Sequence, residues 1–196
     1  MIKKEITKDE INELPVVKFS GKVHVITDQE GYLNAIENLK RETILGFDTE
    51  TRPAFKKGQK YKVAMLQLST NNDAYIFRLN KYTFGDELRD LLSDKGVVKA
   101  GVAVRDDIKG LCKLNSFEPG SFVELAELGK KLGIKQLGLR SLAAIILGVR
   151  ISKQFKLTNW EQPNLNEHQL CYAATDAWVG LCLYNKMTEL LKSQVQ

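Results

Sequence analysis

The sequence is poor in the features that mark disulfide-rich, zinc-binding and membrane-spanning proteins. Its three cysteines are an odd number with no C-x-x-C pair, so a disulfide framework and a zinc ribbon are not expected. The opening MIKKEITKDE is charged and contains no apolar leader segment. No apolar run approaches the roughly 18 residues that a membrane-spanning helix needs. These absences predict a cytoplasmic protein that has no membrane partner.

Linkers and repeats are also missing. The four prolines are scattered, and no low-complexity tract divides the 196 residues. We therefore expect one sizeable domain over residues 21–196, preceded by a polar arm over residues 1–20 with little periodicity. The composition, with 43% hydrophobic and 27% charged residues, is that of an ordinary globular protein. A net charge of +5 weakly favours a polyanionic partner such as nucleic acid.

The hydrophobic patterning predicts antiparallel strands first, then a β-α-β unit and a helical second half. A hairpin is expected where NND joins the third apolar segment to AYIFRL. This order predicts a mixed α/β sheet with helices packed on it. The predicted strands are 22–27, 42–50, 62–69, 74–79 and 96–104, with a short one in 121–133. The predicted helices are 28–40, 84–92, from 106 or 107 to 114, the end of 121–133, 139–148 and 164–191.

Two acids interrupt the apolar strand ILGFDTET. Asp48 and Glu50 are two positions apart and therefore share one face of the strand. A single acid there is readily explained by a bulge or a strand end that turns it to solvent. Two on one face are harder to explain, since burying a carboxylate costs several kcal/mol and like charges add to that cost. A divalent cation would remove both objections.

Two further acids lie in apolar surroundings. One of Asp106 and Asp107 follows the strand in AGVAVRDDIKGL, where a helix N-cap is the simple explanation and suits Asp106 better. Asp176 lies in an apolar helix, where a salt bridge is the simple explanation, and Tyr172 is one turn earlier on the same face. Taken together, four such carboxylates supply the hard oxygen ligands of Mg²⁺ or Mn²⁺. Two such ions about 3.5–4 Å apart promote phosphodiester cleavage.

These residues carry a family resemblance. FDTE, AGVAVRDDIKGL and YAATD, in that order, resemble the three motifs of the DEDD-type 3′–5′ exonucleases, the family of the Werner-syndrome exonuclease domain and ribonuclease D. The spacing within the second motif assigns its acid to Asp107 over Asp106. The resemblance runs from about Lys22 to Thr188. It implies a ribonuclease-H-like mixed sheet of five to six strands, flanked by helices.

The resemblance also implies a chemistry. Two divalent cations, Mg²⁺ or Mn²⁺, would be held by the four acids, with Asp48 bridging both ions. Glu50 and Asp176 would complete the first ion site, and Asp107 would act through the water shell of the second. Tyr172 would orient the attacking water, which places the chain in the tyrosine branch of the family. The other branch has a histidine where this chain has a cysteine, five residues before the last acid, and the nearby His168 is expected to be an exposed helix residue.

Contacts to substrate are predicted at three positions. Arg52 and Phe55 follow the first motif strand, where related enzymes wedge the terminal nucleotide, and Phe55 would stack on a base with about 1–3 kcal/mol. An ordinary surface aromatic is the alternative for Phe55. Lys153 is predicted to contact the phosphate backbone. Trp160 is expected to be a packing residue, and Gln67 is expected to face the site.

The predicted function is metal-dependent hydrolysis at nucleic-acid 3′ ends, single-stranded or in a recessed duplex, with release of nucleoside 5′-monophosphates. The Werner-like similarity favours DNA. Ribonuclease D-like processing of RNA 3′ ends is one alternative. The other is a non-catalytic nucleic-acid-binding module on the same fold, which would be expected to have lost an acid. The sequence does not identify any protein partner.

Overall fold

A six-stranded mixed sheet carries helices on both of its faces. The computed structural model describes residues 2–82, 84–152, 154–155 and 158–194. The strands are β1 (Lys22–Ile26), β2 (Ile44–Thr51), β3 (Val63–Ser69), β4 (Asp73–Phe77), β5 (Val98–Gly101) and β6 (Phe122–Glu124). The helices are α1 (Lys8–Glu13), α2 (Gln29–Leu39), α3 (Asp86–Ser93), α4 (Val104–Cys112), α5 (Leu125–Lys131), α6 (Leu139–Leu142), continued by a π-helical turn (Ala143–Leu147), and α7 (Glu167–Ser193).

The strand order across the sheet is β1-β4-β3-β2-β5-β6. The central pairs β2–β3 and β3–β4 are antiparallel, whereas β1–β4, β2–β5 and β5–β6 are parallel. The predicted mixed sheet flanked by helices and the predicted β3–β4 hairpin are thus confirmed. Among the helices that the structure describes, none combines the length and the apolar character needed to cross a membrane.

Helix α7 lies unusually close to the sheet. A Cβ atom added at Gly46 of β2 would stand 2.0 Å from the carbonyl oxygen of Ala177, so only glycine fits beneath the helix there. A Cβ at Gly180 would likewise stand 2.9 Å from the carbonyl oxygen of Ala100 on β5. Since backbone meets backbone at these points, short side chains of α7 can reach β2. Asp176 is one residue from the first of these contacts.

The opposite face of the sheet is covered by α2, α3 and α4. Their buried apolar side chains pack with those of the sheet into one continuous cluster, which includes Leu39, Leu45, Phe47, Leu88 and Leu111. A second cluster joins the sheet to α5, α6 and α7. Because alternate residues of a strand point to opposite faces, the burial of Phe47 in the first cluster directs its neighbour Asp48 toward α7.

The predicted polar arm contains a short helix that sequence periodicity did not predict. Thr7 and Glu10 form a reciprocal capping box at the start of α1. Two hydrogen bonds tie the arm to the rest of the chain: the Arg150 amide donates to the Pro15 carbonyl at 2.9 Å, and the Phe19 amide donates to the Thr175 side-chain hydroxyl at 2.9 Å. The second bond anchors the arm one residue before Asp176.

The predicted strand 96–104 is too long, and the predicted start of the following helix is wrong. Strand β5 ends at Gly101, and α4 already begins at Val104. Ala103 precedes the helix in the left-handed conformation, with φ of 62°. The Glu124 carboxylate accepts hydrogen bonds from the amides of Ala103 and Val104 at 3.1 and 3.0 Å. A side chain from β6 thus takes the place of a local cap, and neither Asp106 nor Asp107 caps the helix.

Candidate active site

The site lies where β2 extends beyond its parallel neighbour. Pairing of β2 with β5 ends at Gly46, while β2 continues to Thr51. The chain leaves β2 toward β3 on one side and leaves β5 toward β6 on the other. Such a reversal of strand order opens a crevice at the carboxyl ends of the strands. The acids of the first motif stand on this extension, under α7.

Three carboxylates meet in this crevice. Asp48, Glu50 and Asp176 each offer an oxygen atom, and these atoms lie within 4.8 Å of one another. Asp176 is 8% exposed, and the two acids of β2 are partly buried. Burial, followed by the charges of Glu50, Asp176 and Asp107, raises the pKa of Asp48 well above its usual value. Burial likewise raises the pKa of Asp176 to about 7.

The donor set fits a divalent cation. Carboxylate oxygens are the hard ligands that Mg²⁺ and Mn²⁺ prefer. The raised pKa values of Asp48 and Asp176 show that their negative charges are costly in this environment, and a bound cation would offset that cost. Neither Asp48 nor Asp176 forms an ion pair within 4 Å in the described part of the chain. The acids predicted from the first and third motifs are therefore brought together in the geometry of a cation site.

The fourth predicted acid lies beside this trio and not within it. Asp107 accepts a hydrogen bond from Thr49 Oγ1 at 2.6 Å, and burial raises its pKa to about 6. Its charge nevertheless reaches the trio, because it contributes to the raised pKa of Asp48. Asp106 is exposed and pairs with Lys109 at 3.1 Å. Of the two consecutive acids, it is Asp107 that faces β2.

Tyr172 stands one helical turn before Asp176, and the two side chains line the same cleft. Burial, and then the neighbouring acids, raise the pKa of the Tyr172 hydroxyl far above its usual value, so the hydroxyl is protonated at neutral pH. The ring packs against Trp160 with centroids 6.0 Å apart and against Phe155 with centroids 6.2 Å apart. Trp160 is fully buried, as expected of a packing residue. These contacts hold the hydroxyl in one orientation.

The residues predicted to contact substrate do not cluster as closely as the acids do. Arg52 is exposed; its Nη1 lies 3.5 Å from Glu161 Oε2, and its guanidinium carbon stacks 4.8 Å from the centre of the Tyr61 ring. Phe55 is 80% exposed and protrudes from the loop between β2 and β3. Lys153 lies outside the described residues. His168, expected to be exposed, is exposed and stacks on the ring of Phe155.

Two polar side chains near the acids, Gln67 and Arg140, have buried atoms without a hydrogen-bond partner among the described residues. Gln67 is predicted from the sequence to face the site. It lies on β3 directly opposite Asp48 of β2 and is fully buried. Its side-chain nitrogen and oxygen have no hydrogen-bond partner in the described part of the chain. Sequence reasoning missed Arg140 of α6, whose positive charge opposes the rise in the pKa of Asp176. The signal was available: Arg140 is a charge within the apolar stretch LGLRSLAAIILG.

Comparison with known proteins gives a consistent picture. A family profile described as 3′–5′ exonuclease matches residues 23–192. The mouse bifunctional 3′–5′ exonuclease/ATP-dependent helicase WRN is 30% identical over 199 aligned positions, which cover 96% of this chain and 14% of that protein. The exonuclease 3′–5′ domain-containing protein 2 of Drosophila melanogaster is 34% identical over 160 positions, covering 79% of this chain and 27% of that protein. The chain thus spans less than half the length of these relatives.

Solved structures share the fold. The EXO domain of Nibbler from Aedes aegypti superposes with a TM-score of 0.79 at 23% identity, covering 88% of this chain and 89% of that one. Escherichia coli RNase D superposes with a TM-score of 0.77 at 20% identity, covering 86% of this chain and 45% of that one. At these identities the likeness shows the architecture, and it confirms the predicted ribonuclease-H-like sheet.

Proposed function

The chain belongs to the 3′–5′ exonuclease family, whose members are hydrolases of nucleic acid, and we propose that it removes nucleoside 5′-monophosphates from 3′ ends, preferentially of DNA, with the help of two divalent cations. One observation carries this proposal. Oxygen atoms of Asp48, Glu50 and Asp176 lie within 4.8 Å of one another, and Tyr172 lines the same cleft as Asp176.

The four acids divide the work of holding the cations. Glu50 and Asp176 would share one Mg²⁺ or Mn²⁺ ion with Asp48, and Asp48 would also hold a second ion. Asp107, which stands beside the trio, would support the second ion through water. When bound, such ions lower the pKa of a water molecule and neutralise charge that develops on the phosphate. The protein contributes a rigid arrangement of ligands, since β2 fixes two of them and α7 is pressed against the sheet at Gly46.

Tyr172 would position the attacking water. Because its pKa is raised by burial and by the acids, its hydroxyl keeps its proton and acts as a hydrogen-bond donor, not as a base. The packing of its ring on Trp160 and Phe155 limits the directions in which the hydroxyl can point. Replacement by phenylalanine would keep this packing and remove only the hydroxyl, so it should lower kcat with less effect on KM.

The loop between β2 and β3 would meet the substrate. Phe55 is exposed on this loop and is free to stack on an unpaired base. Arg52 would exchange its exposed contact with Glu161 for a phosphate, which is inexpensive because surface ion pairs contribute little. Lys153 is proposed as a further backbone contact. A stacking platform and dispersed cations recognise a single-stranded end without reading its sequence.

A 5′-labelled substrate series tests the function. Matched DNA and RNA oligonucleotides, single-stranded and recessed, are incubated with the protein in Mg²⁺, in Mn²⁺ and in EDTA. We expect a ladder that shortens from the 3′ end of DNA, stops in EDTA and is absent from Asp176→Asn. Faster shortening of RNA would favour ribonuclease D-like processing. Binding without shortening in either metal would support a nucleic-acid-binding module and overturn the exonuclease assignment.

A further inference from the structure

Arg140 is a partly buried cation, and two of its nitrogen atoms have no hydrogen-bond partner among the described residues. Its Nε and Nη1 atoms are buried, and neither has a hydrogen-bond partner in the described part of the chain. The same part of the chain offers it no carboxylate within 4 Å. Burial lowers the pKa of its guanidinium, which shows the cost of keeping a charge there.

Arg78 shows what a purely structural arginine looks like in this fold. It is 3% exposed, and its Nη2 donates to the carbonyl oxygen of Gln162 at 2.7 Å. Both arginines have a buried Nε without a partner, but among the described residues Arg140 has no bond like that of Arg78 Nη2. A buried donor without a partner costs about 1–3 kcal/mol. A binding partner that is absent from the free protein would account for this difference.

The surroundings of Arg140 indicate the chemistry of that partner. With Tyr172 and Asp176 it lines a cleft whose other walls are formed by Ile151 and Ser152. The cleft has a volume of about 280 Å³, close to the lower end of the about 300–1,000 Å³ of ordinary ligand sites. Its position beside Tyr172 and Asp176 is where the proposed reaction brings a phosphodiester. A guanidinium presents its N–H groups as a planar fork that matches two oxygen atoms of a phosphate.

We propose that Arg140 binds a non-bridging oxygen of the substrate backbone, at the scissile linkage or at the linkage next to it. This inference rests on the proposed exonuclease function and adds a residue to it. The Arg140 side chain would compensate substrate charge on the α6 side of the site, while the acids and their cations act on the β2 side. Two predictions distinguish this role from a structural one. The loss of Arg140 should not destabilise the free protein, and it should weaken substrate binding only when the contacted phosphate linkage is charged.

The first experiment compares three variants in Mg²⁺. Arg140→Met should lower kcat/KM about 10- to 100-fold, and Arg140→Lys should recover part of the loss, because a lysine keeps the charge without the fork. Arg41→Met is the matched control: Arg41 is an exposed residue just after α2 that pairs with Glu37, and its loss changes the net charge equally. It should stay within about twofold of the parent protein. The melting temperature of Arg140→Met should equal or exceed that of the parent.

The second experiment removes charge from the substrate. A single methylphosphonate, as resolved diastereomers, replaces one linkage at a time near the 3′ end, and equilibrium binding is measured in EDTA. At the linkage that Arg140 contacts, one diastereomer should weaken binding by the parent protein and have no further effect on Arg140→Met. The linkage that shows this loss of additivity distinguishes the scissile position from its neighbour.

Additive effects at every linkage, or an Arg140→Met variant that equals the parent protein in both experiments, would overturn the assignment. If Arg140→Met does not fold, Arg140→Lys replaces it and should lose the discrimination between diastereomers. The binding arm needs no hydrolysis. A parent protein that binds but does not cleave would therefore reject the exonuclease function and still leave the phosphate contact open to test.

Discussion

Lys99 and the trio of Asp48, Glu50 and Asp176 place charge on opposite sides of the same sheet. Lys99 pairs in register with Leu45, which packs among α2, α3 and α4, whereas the trio lies under α7. Lys99 is fully buried, and its ammonium group donates to the carbonyl oxygens of Asp94 and Val97 at 2.7 Å and of Leu91 at 3.3 Å. The Phe122 ring centre lies 5.2 Å away.

The two regions differ in what compensates the charge. The three carbonyl groups that surround Lys99 come from the chain itself, at the end of α3 and the turn that follows it. The trio instead brings like charges together. The charges of Glu50 and Asp176 raise the pKa of Asp48, and burial raises the pKa of Asp48 and of Asp176. A buried charge with internal partners belongs to the fold, while a cluster of like charges is suited to a ligand of opposite sign. This contrast makes separate predictions for stability and activity.

The largest effect is expected from Asp48→Asn. The change removes a ligand of the proposed cation site, and hydrolysis should fall by about 10³-fold or more, which corresponds to about 4 kcal/mol. It also removes a buried like charge, so the melting temperature in EDTA should rise. The two measurements are the rate of 3′ shortening in Mg²⁺ and thermal unfolding in EDTA.

Asp106→Asn is the matched control, because it removes an equal charge from an exposed residue that neighbours Asp107 in sequence. It should leave both quantities nearly unchanged. Full activity of Asp48→Asn would contradict the assignment of the trio. A lowered melting temperature in EDTA would contradict the view that the charge of Asp48 destabilises the protein without a cation.

Regular patterning made much of this fold predictable. The two-residue period places Asp48 and Glu50 on one strand face, and the helical period places Tyr172 one turn before Asp176, and both follow from local sequence. The β3–β4 hairpin is likewise marked by NND between two apolar segments. In each case neighbouring residues determine the geometry, so a sequence pattern is sufficient.

Features that depend on distant residues were not predictable. The start of α4 depends on Glu124, which bonds to amides about twenty positions earlier. The contact between Arg52 and Glu161 joins residues 109 positions apart. The sequence marks Arg140 as a charge within an apolar stretch, but its place beside Tyr172 and Asp176 follows only from the packing of α6 near α7. Long-range packing decides which charge finds a partner, and no local pattern records it.

Replacing Lys99 tests the structural side of the comparison. Lys99→Met keeps most of the volume but leaves three buried carbonyl oxygens without their donor, so we expect a loss of about 3 kcal/mol in the free energy of unfolding. Activity per folded molecule should change less than twofold. Lys95→Met, on the neighbouring exposed turn, is the control and should be neutral. A stable Lys99→Met protein with reduced activity would place Lys99 with the site instead.

The two regions should also respond to pH in opposite directions. The pKa of Asp176 is raised from 3.8 to about 7, so between these values the folded protein binds more protons than the unfolded chain. In EDTA, stability should therefore fall as the pH rises from about 4 to about 7. The pKa of Lys99 is lowered from 10.5 to about 8. Between these values the unfolded chain binds more protons than the folded protein, so the contribution of Lys99 should make stability increase with pH.

Denaturant titrations across pH measure both slopes. Asp176→Asn should flatten only the first slope, which is the fall of stability between about pH 4 and pH 7. Lys99→Met should flatten only the second slope, which is the rise above about pH 8. Saturating Mg²⁺ should weaken the first slope, because a cation favours the ionised carboxylates. A fall of stability with pH that survives in Asp176→Asn would be assigned to Asp48 and Asp107, whose pKa values are also raised.

The smallest effect is expected at Asp107, which combines properties of both regions. Burial raises its pKa to about 6, yet it has an internal partner in the Thr49 hydroxyl. Thr49→Val keeps the branched shape and removes the donor, and a hydrogen bond to a charged group contributes about 1.5–3 kcal/mol. Because Asp107 would act through water, the loss of this hydrogen bond should weaken cation binding by only part of that energy. The Mg²⁺ concentration for half-maximal rate should rise about fivefold, and Thr49→Ser should restore it. A loss as large as that of Asp48→Asn would mean that Asp107 binds a cation directly, and the division between the trio and the fourth acid would be wrong.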